Sequence, residues 1–252
     1  MDKFNIAVLI DGDNAQPKLI QAIIEEVSKY GKATIRRIYG DWTTPQMNGW
    51  KEVINHQSFN PVQKFAYTSG KNSTDSSLII DAMDILHSKT VEGFCIVSSD
   101  SDYTGLAKRI REGGVFVMGI GQKKTPLAFV QSCEIFTYTE NIGAEIEEDE
   151  EETAKTVTPE AKAKAKLKPK PAISTAIIDK AFDISINEDE EAYIATIGSN
   201  LRKIDPSFDP RAFGYKTLTQ LFANLPQYEI IKNIVNGSNH PLVKKKEKAR
   251  HR

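Results

Sequence analysis

Carboxylates gathered in three places are the sequence's strongest chemical signal. The first cluster, Ile10-Asp11-Gly12-Asp13-Asn14, follows directly on the apolar run Phe4–Ile10. The second begins at Asp75 and continues through Asp81 and Asp84 along a stretch with helical spacing. The third, Ser98-Ser99-Asp100-Ser101-Asp102, follows the apolar run Phe94–Val97. Several carboxylates facing one crevice repel one another, and a hard divalent cation relieves that repulsion. Mg²⁺ or Mn²⁺ takes oxygen ligands and binds through a few carboxylates with water and substrate phosphate. One or two such ions activate water and stabilise charge in phosphodiester cleavage. No His or Cys cluster supports a zinc site. Cys95 and Cys133 both lie in apolar strand-like runs and read as buried thiols.

Each acid also has a plainer role open to it. Asp13, Asn14 and Asp75 could cap helices, and Asp100 or Asp102 could cap the helix that begins near Ser101. Asp84 fits a solvated helix face. Capping does not easily explain why three separate clusters stand at strand ends or helix starts.

The elements that must position these acids alternate between two periods. Strand-like runs are Phe4–Ile10, Ala33–Tyr39, Pro61–Tyr67, Phe94–Ser98, Val115–Ile120 and Ile135–Tyr138. Between them, Pro17–Tyr30, Pro45–His56, Ser73–Ser88, Ser101–Glu112 and Pro126–Ser132 read as helices. Nearly all-apolar strands alternating with helices predict an open, mainly parallel sheet covered on both faces. Ligands bind such sheets beyond the carboxyl ends of the strands. Asp11 and Asp100 fall there, and Asp75 joins them if the strand before it is also parallel.

At 252 residues the chain suits one or two domains. Composition changes near residue 145, so the α/β domain is placed at 1–143. Residues 144–172, first acidic and then rich in Ala, Lys and Pro, have too few apolar residues to build a core and read as a disordered linker. Apolar periodicity returns over 173–240, with helices expected from Ile177 to Phe182, Ala192 to Ile204 and Tyr215 to Leu225, and a short strand at Tyr228–Ile231. Residues 241–252 read as a disordered basic tail. The net charge of −1 is a sum of unlike parts: about −1 over 1–140, −2 over 141–173, −3 over 174–240 and +5 over 241–252. No apolar run reaches membrane-spanning length and no secretory signal is evident, so a cytoplasmic protein is expected.

Taken in order, Asp11…Asn14, Lys71…Asp75…Asp81 and Ser99-Asp100-Ser101-Asp102-Tyr103 resemble the NYN domain, the LabA-like branch of the PIN-like nucleases. The resemblance covers about residues 4–139. It implies a PIN-like fold and a metal-dependent ribonuclease. By position, Asp11, Asp75, Asp100 and Asp102 would be the catalytic and metal-binding acids. Asn14, Asp13, Asp81 and Ser99 would support them, Asp13 standing at a variable position. The usual Lys-Gly-x-Asp is loosened here to Lys71-Asn72-Ser73-Thr74-Asp75. For substrate, Lys71, Lys123 and Lys124 could meet phosphates and Trp42 could stack a base, whereas Trp50 suits burial.

Phe208-Asp209-Pro210-Arg211-Ala212-Phe213-Gly214-Tyr215-Lys216 with Leu218, Leu221 and Phe222 resembles the LOTUS (OST-HTH) domain, a small winged-helix-type module that binds RNA or protein. Most of these residues read as structural, with Arg211 and Lys216 the better surface candidates. Two other functions remain open: a non-catalytic RNA-binding or adaptor protein, and a haloacid-dehalogenase-type phosphatase. The latter begins Asp-x-Asp-x-Thr, which Asp11-Gly12-Asp13-Asn14-Ala15 only partly imitates.

Overall fold

The computed structural model describes residues 4–65, 73–142, 175–235 and 238–246. Lys71 and the expected linker at 144–172 lie outside the described residues. The chain divides into two compact units.

The first unit is built on a six-stranded sheet. Its strands are β1 (Phe4–Asp11), β2 (Gly31–Gly40), β3 (Asn60–Gln63), β4 (Gly93–Val97), β5 (Phe116–Gly121) and β6 (Ile135–Tyr138). They lie in the order β3-β2-β1-β4-β5-β6, and every pair is parallel. The helices are α1 (Ile20–Ser28), α2 (Trp50–Gln57), α3 (Ser73–Ser88), α4 (Thr104–Glu112) and α5 (Leu127–Ser132). The apolar strands explain the two-faced core. Successive side chains of a strand point to opposite faces. Thus Ala7 and Leu9 of β1 join Phe94 and Ile96 of β4 beneath α3, α4 and α5. Ile6, Val8 and Ile10 join Cys95 and Val97 beneath α1 and α2. Burying each such aliphatic side chain contributes roughly 1.5–3 kcal/mol. Cys95 and Cys133 are buried free thiols in different cores, and burial pushes both thiols up, that of Cys133 to about 12.

Several expected helices begin as 3₁₀ turns. Pro17–Leu19 precedes α1, Pro45–Gly49 precedes α2 and Ser101–Tyr103 precedes α4. Proline favours such starts because its fixed φ suits a first turn and no N–H is lost. The strand expected at Pro61–Tyr67 is shorter: β3 ends at Gln63.

The second unit contains α6 (Thr175–Asp183), α7 (Ile194–Ile204) and α8 (Leu218–Ala223), with a three-stranded antiparallel sheet in the order β7 (Glu191–Tyr193), β11 (Leu242–Lys245), β8 (Tyr228–Ile231). β9 (Ile234–Val235) and β10 (Ser238–Asn239) form a separate antiparallel pair. Residues 192–193, expected as helix, are strand, and the helix expected at Tyr215–Leu225 is confined to α8 after a 3₁₀ turn at Pro210–Phe213. Gly214 ends that turn at φ +79°, a backbone conformation that glycine adopts without a Cβ penalty.

The basic tail requires correction. Leu242–Lys245 is the central strand of the small sheet, paired with both β7 and β8, and Val243 is fully buried in its core. The lysines hid the strand, because Lys244-Lys245-Lys246 reads as a solvated run. Lys245 instead pairs with Asp183 at 2.5 Å and lies 5.2 Å from the Phe182 ring centre. A long stem over apolar surface with its charge in solvent is ordinary for lysine. Among the described residues, no helix is long and apolar enough to cross a membrane.

Candidate metal centre

The strand order reverses between β1 and β4. From β1 the chain builds outward to β2 and β3, and from β4 it builds the other way to β5 and β6. Such a switch point opens a crevice at the carboxyl ends of its two central strands. Register sets the residues there. Asp11 ends β1 opposite Tyr39, and Ile10 pairs with Val97 of β4, so Ser98 emerges beside Asp11.

Asp11 is fully buried and its carboxylate is held on both oxygens. Oδ2 accepts from Asn14 Nδ2 at 2.7 Å and from Ser98 Oγ at 2.9 Å, and Oδ1 accepts from the Asp13 amide at 3.2 Å. Ser98 Oγ also accepts from the Asp100 amide at 3.1 Å, tying the two loops together. Burial raises the Asp11 pKa above the usual carboxylate range. The Asn14 and Ser98 hydrogen bonds work against that shift, and the charges of Asp75 and Asp13 add to it.

Two glycines let these loops approach. A Cβ on Gly12 would sit 2.8 Å from the Tyr39 carbonyl oxygen, and one on Gly121 would sit 2.5 Å from that of Ser98. Neither backbone could accommodate it without moving.

Asp75, Asp100 and Asp102 converge with carboxylate oxygens all within 4.8 Å of one another; Asp11, expected as a ligand, is not part of that group but feels the Asp75 charge. Asp75 comes from the first turn of α3, and the other two flank the start of the 3₁₀ turn before α4. Tyr103, fully buried, donates its hydroxyl to Asp75 Oδ1 at 2.7 Å. The Asp75 pKa is raised, first by burial and then by the charges of Asp100, Asp102 and Asp13, against the Tyr103 bond. Capping is part of the answer too: Asp100 Oδ1 accepts from the Asp102 amide at 3.0 Å. An oxygen-only donor set with crowded charge fits a hard cation such as Mg²⁺ or Mn²⁺, and lacks the nitrogen and sulfur ligands that zinc prefers.

Not every residue named from sequence joins this cluster. Asp81 accepts instead from the Arg37 guanidinium and the Tyr39 hydroxyl, tying α3 to β2. Six residues along a helix turn a side chain about 120° away from the starting one, so Asp75 and Asp81 face differently. Ser99 Oγ accepts from the Gln122 amide at 2.9 Å, joining the loops after β4 and β5. Asp13 and Asn14 are exposed beside Asp11, and Lys123 and Lys124 are exposed in the loop after β5. Trp42 is half-buried and Trp50 buried, with its Nε1 donating to the Gly12 carbonyl at 3.2 Å. Arg211 is bound to Asp209 at 2.7 Å, so it is no open contact residue. Two residues that sequence reasoning did not place in the site, Ser98 and Tyr103, orient its acids. Ser98 opens the third acidic cluster and Tyr103 ends the family motif, but no periodicity distinguishes a supporting hydroxyl from a core one.

The NYN domain family matches residues 5–143, and the OST-HTH/LOTUS domain matches residues 164–238. No curated protein matches the chain. Among solved structures, a protein of unknown function from Vibrio parahaemolyticus RIMD 2210633 is similar at 18% identity and a TM-score of 0.46, over 54% of this chain and 93% of that one. An uncharacterized protein from Nitrosomonas europaea is similar at 26% identity and a TM-score of 0.32, over 38% of this chain and 92% of that one.

Proposed function

Because the chain belongs to the NYN domain family and carries an OST-HTH/LOTUS domain after it, we propose that it is a metal-dependent ribonuclease whose second domain recruits RNA or a protein partner. The observation that carries this reading is the convergence of Asp75, Asp100 and Asp102 at the sheet's switch point. These three would hold Mg²⁺ or Mn²⁺, which supplies a nucleophile at neutral pH and stabilises charge on the phosphate. Asp11, fixed by Asn14 and Ser98 and electrostatically coupled to Asp75, adds negative charge that favours the cation. Tyr103 keeps Asp75 turned toward its neighbours. Lys123 and Lys124, exposed on the same sheet edge, offer positive charge to substrate phosphates. The family match gives the haloacid-dehalogenase reading no support.

The test is cleavage of a mixed pool of single-stranded RNA in Mn²⁺ and in EDTA. Wild type should cleave only with the cation, and Asp100→Ala should cut roughly 100-fold more slowly, in line with loss of a major charge-stabilising group. RNA binding without cleavage by wild type in Mn²⁺ would favour the adaptor reading instead.

A further inference from the structure

Along the outer edge of the first unit's sheet, a shallow cavity of about 550 Å³, broadly open to solvent, is lined by Trp42, Lys51, Ile54, Asn55, Pro61 and Gln63. Small-ligand pockets span roughly 300–1,000 Å³. Three elements supply its walls. Lys51, Ile54 and Asn55 stand at i, i+3 and i+4 on α2 and so share one face. Pro61 and Gln63 are alternate residues of the edge strand β3. Trp42 belongs to the loop that follows β2.

A dedicated network holds Trp42 in place. Asp41 Oδ1 accepts from the Thr43 amide at 3.1 Å, the Thr43 hydroxyl at 2.6 Å and Gln63 Nε2 at 2.9 Å. The same Gln63 amide accepts through Oε1 from the Trp42 backbone N–H at 2.9 Å. The indole Nε1 donates to the Val62 carbonyl at 3.1 Å. Trp42 is partly buried against the core beneath α1 and α2 and also lines the cavity. Holding Trp42 by its backbone N–H and its indole N–H removes in advance part of the entropy that binding would cost. Lys51 and Asn55 are exposed, and neither side chain has a hydrogen-bond or ion-pair partner among the described residues. The cavity therefore combines an anchored indole, aliphatic walls, an ammonium group and an amide able to donate and accept.

We propose that this cavity is a nucleobase subsite, taking an unpaired base of the single-stranded RNA whose backbone lies at the carboxylate cluster. The base stacks on Trp42, Asn55 meets its polar edge and Lys51 meets a neighbouring phosphate. This inference rests on RNA being the substrate. The placement suits it: Trp42 follows the carboxyl end of β2, the same sheet edge at which Asp11 ends β1 and Ser98 follows β4. Stacking on an aromatic plane is open to every base and contributes without duplex pairing.

The chain has two tryptophans, and Trp50 is buried. Both indoles emit, so Trp42→Leu, which keeps Trp50, supplies the background, and the difference from wild type reports on Trp42. Full-length protein is titrated with a short single-stranded oligoadenylate both in EDTA, where cleavage plays no part, and in Ca²⁺, a hard cation that neutralises the acids. The expected result is saturable quenching by the single strand and none by a duplex containing it. Asn55→Ala and Lys51→Ala, both at exposed positions, should weaken that quenching severalfold. Trp42→Leu, with thermal unfolding as the fold control, should raise KM for single-stranded RNA about tenfold with kcat little changed. Unchanged emission overturns the subsite, as does equal quenching by duplex, or wild-type half-saturation in Asn55→Ala and Lys51→Ala together. Quenching without any cleavage in Mn²⁺ overturns the nuclease reading and supports the subsite. Cleavage without quenching overturns the subsite alone.

Discussion

Two demands compete at Asp75. Burial and three neighbouring carboxylates raise its pKa, and Tyr103 pulls it back down. The Asp11 pKa is raised as well, with the Asp75 charge among the causes. A carboxyl with a higher pKa folded than unfolded stabilises the fold while protonated. That contribution is complete below the ordinary value of about 3.9 and is lost as pH rises through the raised one. At neutral pH both groups therefore oppose folding unless a cation is bound. Asp75→Asn should raise the melting temperature in EDTA at pH 7 by about 3 °C, equivalent to roughly 1 kcal/mol in a domain of this size. The gap over wild type should close as pH falls through the raised pKa. A melting series in EDTA checks both the sign and the pH dependence. Tyr103→Phe deletes the hydroxyl that supports ionised Asp75. Mn²⁺ affinity should fall roughly tenfold, as is common for outer-shell ligand partners, and the pH midpoint of Mn²⁺ binding should move upward.

The parallel sheet was legible in the sequence because its strands are short apolar runs separated by helical patterns, and because both faces of β1 and β4 are buried. That is also why Asp11 and Asp100 could be placed on one edge before any contact was known. Helix starts were less legible, since a 3₁₀ turn and an α-helical turn share the same proline and capping signals. Asp81 stood out through motif position, but helix geometry turns it to Arg37 and Tyr39. Ser98 and Tyr103 gave no pattern to follow, because their roles depend on which acid the sheet brings beside them. Close packing between the loops after β4 and β5 is what holds the edge together. Gly121→Ala should therefore displace the Ser98 carbonyl, costing about 1–3 kcal/mol as overpacking. It should also weaken Mn²⁺ binding, although Gly121 touches none of the three clustered acids. Urea midpoints together with Mn²⁺ titration of this variant test the coupling.

Over the whole molecule, the net charge of −1 conceals an acidic centre and basic stretches. The positive charge beyond residue 241 is only partly a tail. Lys244 and Lys245 belong to β11, and Lys245 is paired with Asp183. A chain ending at Lys246 should keep the second unit folded, whereas one ending at His240 loses the central strand with Leu242 and Val243 and should unfold that unit. Amide hydrogen exchange distinguishes the two, and equal protection in both truncations would contradict the strand's role. Deleting the basic residues 247–252 should flatten the salt dependence of RNA binding without unfolding either unit. The central claim concerns the first unit: Asp75, Asp100 and Asp102 form one cation site at the β1–β4 switch point. Calorimetric titration of Mn²⁺ into the full chain, Asp75→Asn and Asp100→Asn tests it most directly. The account predicts saturable binding by wild type that both variants lose or weaken at least tenfold, with their folds intact. Isotherms for the variants that overlay the wild-type curve would contradict it.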